Sequence, residues 1–246
     1  MPSNKLLAIE WVAAYRFVDI AEPEALREQL FASASAAALK GTILLAPEGI
    51  NLMLAGEVSS LQAWLDALQA DARFAALELK RHAAVSVPFG HLRVKVKAEI
   101  IRMNQPQLRP AAARAPALSA ATLVRWLTQG HDDEGRELAL LDTRNAFEVD
   151  AGAFTGAIDW RLQRFSDFPA ALAAHADVLT GKTVVSYCTG GIRCEKAALW
   201  MQQAGIEQVH QLDGGILKYF DAQLGAPGWQ GRCVVFDERE SVAPKA

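Results

Sequence analysis

The stretch from Thr183 to Ala204 constrains the fold of this chain more than any other. Thr183-Val184-Val185-Ser186-Tyr187 is β-branched and aromatic and reads as a buried strand, while Glu195 to Ala204 is built from good helix formers. The six residues between them, Cys188-Thr189-Gly190-Gly191-Ile192-Arg193, are therefore expected to turn the chain from a strand end into a helix start. A strand that feeds directly into a helix is the unit of a parallel α/β sheet. Two further short apolar runs, Leu138 to Leu141 and Val209 to Leu212, alternate with helical stretches, and Ser119 is placed to cap a helix reaching Leu127. The second half of the chain thus reads as an α/β domain with a mostly parallel sheet.

In such sheets ligand sites lie at the carboxyl ends of strands, which is where Cys188 falls. Gly190 and Gly191 let the backbone bend so that successive N–H groups point inward, and the helix start adds its partial positive charge. The cradle favours an anion. A thiolate is one, and it is the reactive form of cysteine, so the same cradle lowers the Cys188 pKa and suits a persulfide carried on it. Arg193 adds a fixed positive charge for an anionic donor or for the persulfide. The alternative is a buried, inert cysteine before a glycine turn.

The first half alternates differently. Leu6 to Phe17 mixes aromatic and β-branched residues, and Pro23 opens a helix-like run from Glu24 to Leu39. Gly41 to Ala46 and Ile50 to Ala55 read as hairpin strands around Pro47-Glu48-Gly49, and Ser59 to Leu68 as a helix with Leu61, Leu65 and Leu68 on one face. The alternating run Leu92-Arg93-Val94-Lys95-Val96-Lys97 closes the set. The order β-α-β-β-α-β predicts a ferredoxin-like (acylphosphatase-like) α+β domain over 1–103. Three prolines between Asn104 and Pro116 mark 104–117 as a linker or a segment wrapped over the surface, leaving 118–246 for the α/β domain and a C-terminal extension.

Charge adds one clue. Between Lys80 and Arg114, eight basic residues meet the single acid Glu99. Arg93, Lys95 and Lys97 share one face of their strand, opposite Val94 and Val96, so they form a strip able to meet a phosphate backbone or merely to keep an edge strand soluble. Three cysteines do not form a disulfide framework, and no paired Cys or His spacing offers a metal site. With no membrane-length apolar run and no signal-peptide core after Met1-Pro2-Ser3, a cytoplasmic protein without evident cofactor is expected.

A Cys, four residues and an Arg between strand and helix resembles the active-site loop of rhodanese domains. Leu141-Asp142-Thr143-Arg144-Asn145-Ala146-Phe147-Glu148 resembles the early Asp-x-Arg segment of that family, with Ala153 where a histidine is often found, and Leu212-Asp213-Gly214-Gly215-Ile216 its late Gly-Gly segment. Asp142 and Arg144 are open to a structural ion pair as much as to a part in catalysis. Cys194 is open to resolving an oxidised Cys188 or to plain packing, and Cys233 reads as structural.

A narrower resemblance spans nearly the whole chain. Tyr187 to Ala197, Glu48-Gly49-Ile50-Asn51, Leu92 to Lys97 and Val235-Phe236-Asp237-Glu238-Arg239 together are similar to the rhodanese-containing tRNA uridine hydroxylases. This resemblance implies oxygen-dependent 5-hydroxylation of the wobble uridine, with molecular oxygen as co-substrate, the anticodon region of tRNA as partner and the loop cysteine required. Many members continue after the Phe-Asp-Glu-Arg segment into a cysteine-rich tail, whereas this sequence stops at Ala246. Two other functions compete with hydroxylation. One is a sulfurtransferase that draws on a sulfur donor such as thiosulfate, and the other a non-catalytic rhodanese binding module. Retention of Cys188 and Arg193 counts against the module, and the four-residue spacing favours sulfur over the phosphate chemistry of longer-loop relatives.

Overall fold

The computed structural model describes residues 8–235 and 240–244. The Phe236 to Arg239 part of the last resemblance segment, and the start of the first expected strand at Leu6, lie outside the described residues. The chain divides into two compact units, Met1–Ile100 and Ile101–Ala246.

The first unit runs β1 (Ile9–Phe17), α1 (Pro23–Ala36), β2 (Lys40–Ala46), β3 (Gly49–Glu57), α2 (Val58–Gln69), β4 (Lys80–Ala84) and β5 (Leu92–Val96). Pro23 opens α1, where its missing N–H does no harm, and Glu57 caps α2 by accepting from Ser60 N at 3.0 Å. The sheet order is β4-β1-β3-β2-β5, with all pairs antiparallel except β2 with β5. The first four positions form the ferredoxin-like sheet. The expected closing strand is different: Lys80–Ala84 takes the place beside β1, and Leu92–Val96 is an added strand on the opposite edge. Lys80–Ala84 lacks apolar alternation because its anchor is a ring stack, His82 on Trp11 with centroids 4.4 Å apart. Helix and sheet apolar residues such as Leu30, Ile43, Leu52, Leu61 and Leu65 close one core. Glu48 accepts from Ile100 N at 2.8 Å and Asn51 Nδ2 donates to Ile100 O at 3.4 Å, so the Glu-Gly-Ile-Asn turn fastens the end of this unit.

The second unit contains β6 (Ala117–Leu118), α3 (Ala120–Gln129), β7 (Leu138–Asp142), α4 (Ala146–Ala151), β8 (Gly152–Phe154), β9 (Ile158–Asp159), α5 (Phe168–His175), β10 (Thr183–Tyr187), α6 (Ile192–Gln203), β11 (Val209–Leu212), α7 (Gly215–Asp221), β12 (Trp229–Gly231), β13 (Cys233–Val234) and β14 (Ser241–Val242). Ser119 caps α3 by accepting from Thr122 N at 3.1 Å. Five strands form an all-parallel sheet in the order β6-β11-β10-β7-β9. Its central strand β10 is buried at all five residues, and its two hydroxyls are satisfied inside, Thr183 donating to Asp132 at 2.6 Å and Ser186 to His210 O at 3.1 Å. The proline-rich segment between the domains belongs to this unit: Met103, Leu108 and Ala115 are buried in its core beside Leu141, Val184 and Ala197. Lys196 Nζ donates to Ile101 O at 3.1 Å and Gln211 Nε2 to Ala115 O at 3.3 Å, holding the segment at both ends. No described helix is long and apolar enough to cross a membrane.

Candidate active site

Strand β10 pairs in register with β7, Tyr187 opposite Asp142, so the chain leaves the sheet at Cys188 beside Thr143. Thr143 fixes that exit with two bonds to Tyr187 O, from its N and from Oγ1, both at 3.0 Å. Helix α6 begins at Ile192, earlier than the sequence suggests, with Gly191 as its N-cap at φ +98°. A left-handed backbone there needs glycine, and it turns the Gly191 N–H onto Cys188 Sγ at 3.1 Å. Arg193 accordingly sits in the first turn of the helix, not in the loop, and the N–H groups of Gly191 and Arg193 act on the sulfur.

Cys188 is fully buried. Burial alone pushes its thiol up, but the Cys194 thiol, the Arg193 guanidinium and the N–H groups of Arg193 and Gly191 outweigh burial and hold it well below the ordinary cysteine range. These groups together form an anion cradle that favours the thiolate form of Cys188.

The rear of the loop rests on α7. Ile216 N and Leu217 N donate to Cys188 O and Thr189 O at 3.0 and 3.1 Å. The approach is close enough that a Cβ on Gly215 would lie 2.4 Å from Cys188 O and 2.8 Å from Gly191 N. The late Gly-Gly segment thus requires glycine because it touches the loop itself.

Arg193 has a partner that sequence reasoning left without a role. Its two terminal nitrogens donate to Glu148 Oε2 at 2.6 Å and Oε1 at 2.7 Å, and both side chains are almost wholly buried. Thr189 Oγ1 also donates to Glu148, at 3.2 Å. Burial raises the Glu148 carboxyl, yet the Arg193 bonds and charge overcome it and hold the pKa below the usual carboxylate range. Arg193 therefore locks the loop to α4 while its charge still acts on Cys188 across a short, poorly screened distance. The spacing Asn145-x-x-Glu148 was the available signal: Asn145 N donates to Glu148 Oε2 at 3.0 Å, as in a capping box.

Asp142 and Arg144 are also fully buried and form a forked pair, Nε to Oδ1 at 2.9 Å and Nη2 to Oδ2 at 2.5 Å. Arg144 goes on to Glu148 O at 3.2 Å and Gly152 O at 2.7 Å. Its donors are thus taken up by the backbone that carries Glu148, a structural clamp. Cys194 is fully buried beside Cys188, with its sulfur 3.7 Å from Thr143 Oγ1. Cys233 is buried too, its thiol pushed up to about 11 by burial. Arg93, Lys95 and Lys97 stand exposed on and just after β5, the edge strand of the first unit, while Val94 faces its core. Among the described residues no group of three or more His, Cys, Asp or Glu is placed to hold a metal ion.

Comparison with known proteins covers both units. Residues 9–100 match the UPF0176 acylphosphatase like domain, and residues 123–222 the Rhodanese-like domain. A Bordetella avium protein called tRNA uridine(34) hydroxylase is 58% identical over 238 residues, covering 97% of this chain and 98% of its own length. Its Bordetella pertussis counterpart of the same name is 58% identical over 245 residues, covering 98% of this chain and all of itself. A Ralstonia nicotianae protein so named is 52% identical over 231 residues, 94% of this chain and 82% of its own. Identity at this level across both units shows that the chain belongs to the tRNA uridine(34) hydroxylase family.

Proposed function

We propose that this protein is a tRNA-modifying enzyme that hydroxylates C5 of uridine 34, the wobble position of the anticodon, with molecular oxygen as co-substrate and Cys188 as the reacting thiolate. The observation that carries the proposal is the identity to named hydroxylases at 58% over almost the full length of both partners. The thiolate cradle supplies the chemistry. A thiolate adds to C6 of a pyrimidine and so places an electron pair at C5, the carbon to be oxygenated. One atom of O2 then becomes the 5-hydroxyl and the other leaves as water, with two electrons and two protons supplied by a cellular reductant; loss of the C5 proton finally breaks the C6–S bond, restoring the ring double bond and freeing the Cys188 thiolate. Glu148 and Arg193 hold the loop in place, and Arg93, Lys95 and Lys97 contact tRNA phosphates. The reaction belongs in the cytoplasm, where tRNA and reduced thiols occur together.

The test is nucleoside mass spectrometry of tRNA from cells lacking the protein, with and without its re-expression, under 18O2. Hydroxyuridine at position 34 that returns on re-expression and carries the label supports the reading. Hydroxylation independent of the protein sinks it. A sulfurtransferase remains the second reading because the Gly191 N–H and the α6 N-terminus suit a persulfide on Cys188 as well as a thiolate. Turnover of thiosulfate by purified protein, without any effect on tRNA, would decide for it.

A further inference from the structure

Cys194 has no task in the chemistry above, yet its placement is more specific than packing requires. It lies in the first turn of α6 and is fully buried. Its main-chain N–H bonds Gly191 O at 3.0 Å, while the Gly191 N–H bonds Cys188 Sγ at 3.1 Å, so a single residue ties both cysteines. Helical side chains lean toward the helix N-terminus, which in α6 is toward Cys188. After burial, each thiol is the strongest influence on the other's titration. On its other side the Cys194 sulfur meets Thr143 Oγ1 at 3.7 Å, and Thr143 is itself pinned to Tyr187 O. An inert packing thiol needs neither partner.

The pair is also chemically unequal. Burial and the neighbouring Cys188 sulfur push the Cys194 thiol well above the ordinary cysteine range, while Cys188 is held well below it. The sulfur of lower pKa is the one that meets an oxidant first, and Cys194 is the thiol left to answer it.

We propose that Cys194 is the resolving thiol of Cys188, converting a sulfenic acid formed there into a Cys188–Cys194 disulfide. In the first step the Cys188 thiolate attacks a hydroperoxide; an S–O bond forms, the O–O bond breaks and hydroxide leaves, taking the electron pair. In the second, the Cys194 sulfur displaces the hydroxyl group; an S–S bond forms, the S–O bond breaks, and the thiol proton leaves with hydroxide as water. A dithiol reductant reverses the disulfide by exchange. The disulfide stops oxidation before the sulfinic acid, the first irreversible step. An enzyme that uses oxygen at an activated thiolate gains a recoverable resting state.

This inference shares the Cys188 thiolate with the proposed function but does not depend on uridine being the substrate. Cys233 is the rival partner, since it is buried in the same unit, although its sulfur is directed to Val234 O at 3.6 Å. The test treats the protein with a several-fold molar excess of hydrogen peroxide, blocks free thiols by alkylation and maps peptides by mass spectrometry. The wild type is expected to lose two hydrogens, to yield a cross-linked peptide pair holding Cys188 and Cys194, and to recover fully with dithiothreitol. Cys194→Ser is expected to carry two or more oxygens on Cys188 that dithiothreitol does not remove, and Cys233→Ser to form the disulfide like the wild type. Wild-type protein that accumulates irreversibly oxidised Cys188 with Cys194 still alkylated, or that joins Cys188 to Cys233, overturns the proposal. The wild-type mapping decides even where a variant folds poorly, and loss or survival of uridine hydroxylation has no bearing on it.

Discussion

Arg193 and Glu148 are both buried charges, and each is tolerable only because the other is there. Burying an ion costs several kcal/mol unless a partner compensates it, and breaking such a pair by removing one partner costs about 3–5 kcal/mol. Glu148→Gln leaves the Arg193 guanidinium with no carboxylate, so a loss of that order is expected in urea unfolding. The pH dependence follows from the same residue. Glu148 is held below its ordinary value of 4.5 in the folded state, so its contribution is fully present above that pH and is lost as pH falls further. Wild-type stability should therefore drop on acidification below pH about 4.5 by more than that of Glu148→Gln. Equal slopes would show that Glu148 plays no such part. At this scale the anion cradle was legible in the sequence because it is local: cysteine, glycines and helix start are consecutive. The lock was not, because Glu148 and Arg193 are 45 residues apart and meet only through the parallel pairing of β7 with β10.

The elements show the same division between local and distant causes. The strand-loop-helix unit was legible from residue type, whereas the exchange of β4 and β5 was not. Leu92–Val96 alternates as an outer strand of the sheet should, and Lys80–Ala84 owes its place to a ring stack between His82 and Trp11 that no periodicity displays. Gly215→Ala places a Cβ 2.4 Å from Cys188 O at a backbone φ of +68°, so the support of α7 for the loop is expected to fail. Thermal unfolding should register a loss of at least about 1–3 kcal/mol from the left-handed backbone alone. A variant as stable as the wild type would show that the loop does not depend on this close approach. On β5, replacing Arg93, Lys95 and Lys97 by Glu should weaken tRNA binding and make the log-log salt dependence shallower by roughly two to three, since each phosphate no longer neutralised removes about one from the slope. Unchanged binding and slope would assign the strip to solubility.

For the whole molecule, two resemblances converge, one for each unit, and their joint presence across the full length of named hydroxylases is what turns a sulfur-handling loop toward RNA. The units also differ in what they need to fold. Because Met103, Leu108 and Ala115 lie in the second core, a fragment 101–246 should unfold cooperatively, and a fragment 118–246 should be destabilised by several kcal/mol, at about 2–5 kcal/mol for each large buried side chain removed. Equal stability of the two fragments would mean that the proline-rich segment contributes no core. The proposed function centres on one sulfur atom acting on one base. The most direct measurement is the 5-hydroxyuridine content at position 34 of tRNA in cells lacking the protein and supplied with either wild type or Cys188→Ser, each confirmed as folded and equally abundant. Restoration by the wild type and its absence with Cys188→Ser is the predicted result; full hydroxylation by Cys188→Ser would contradict it.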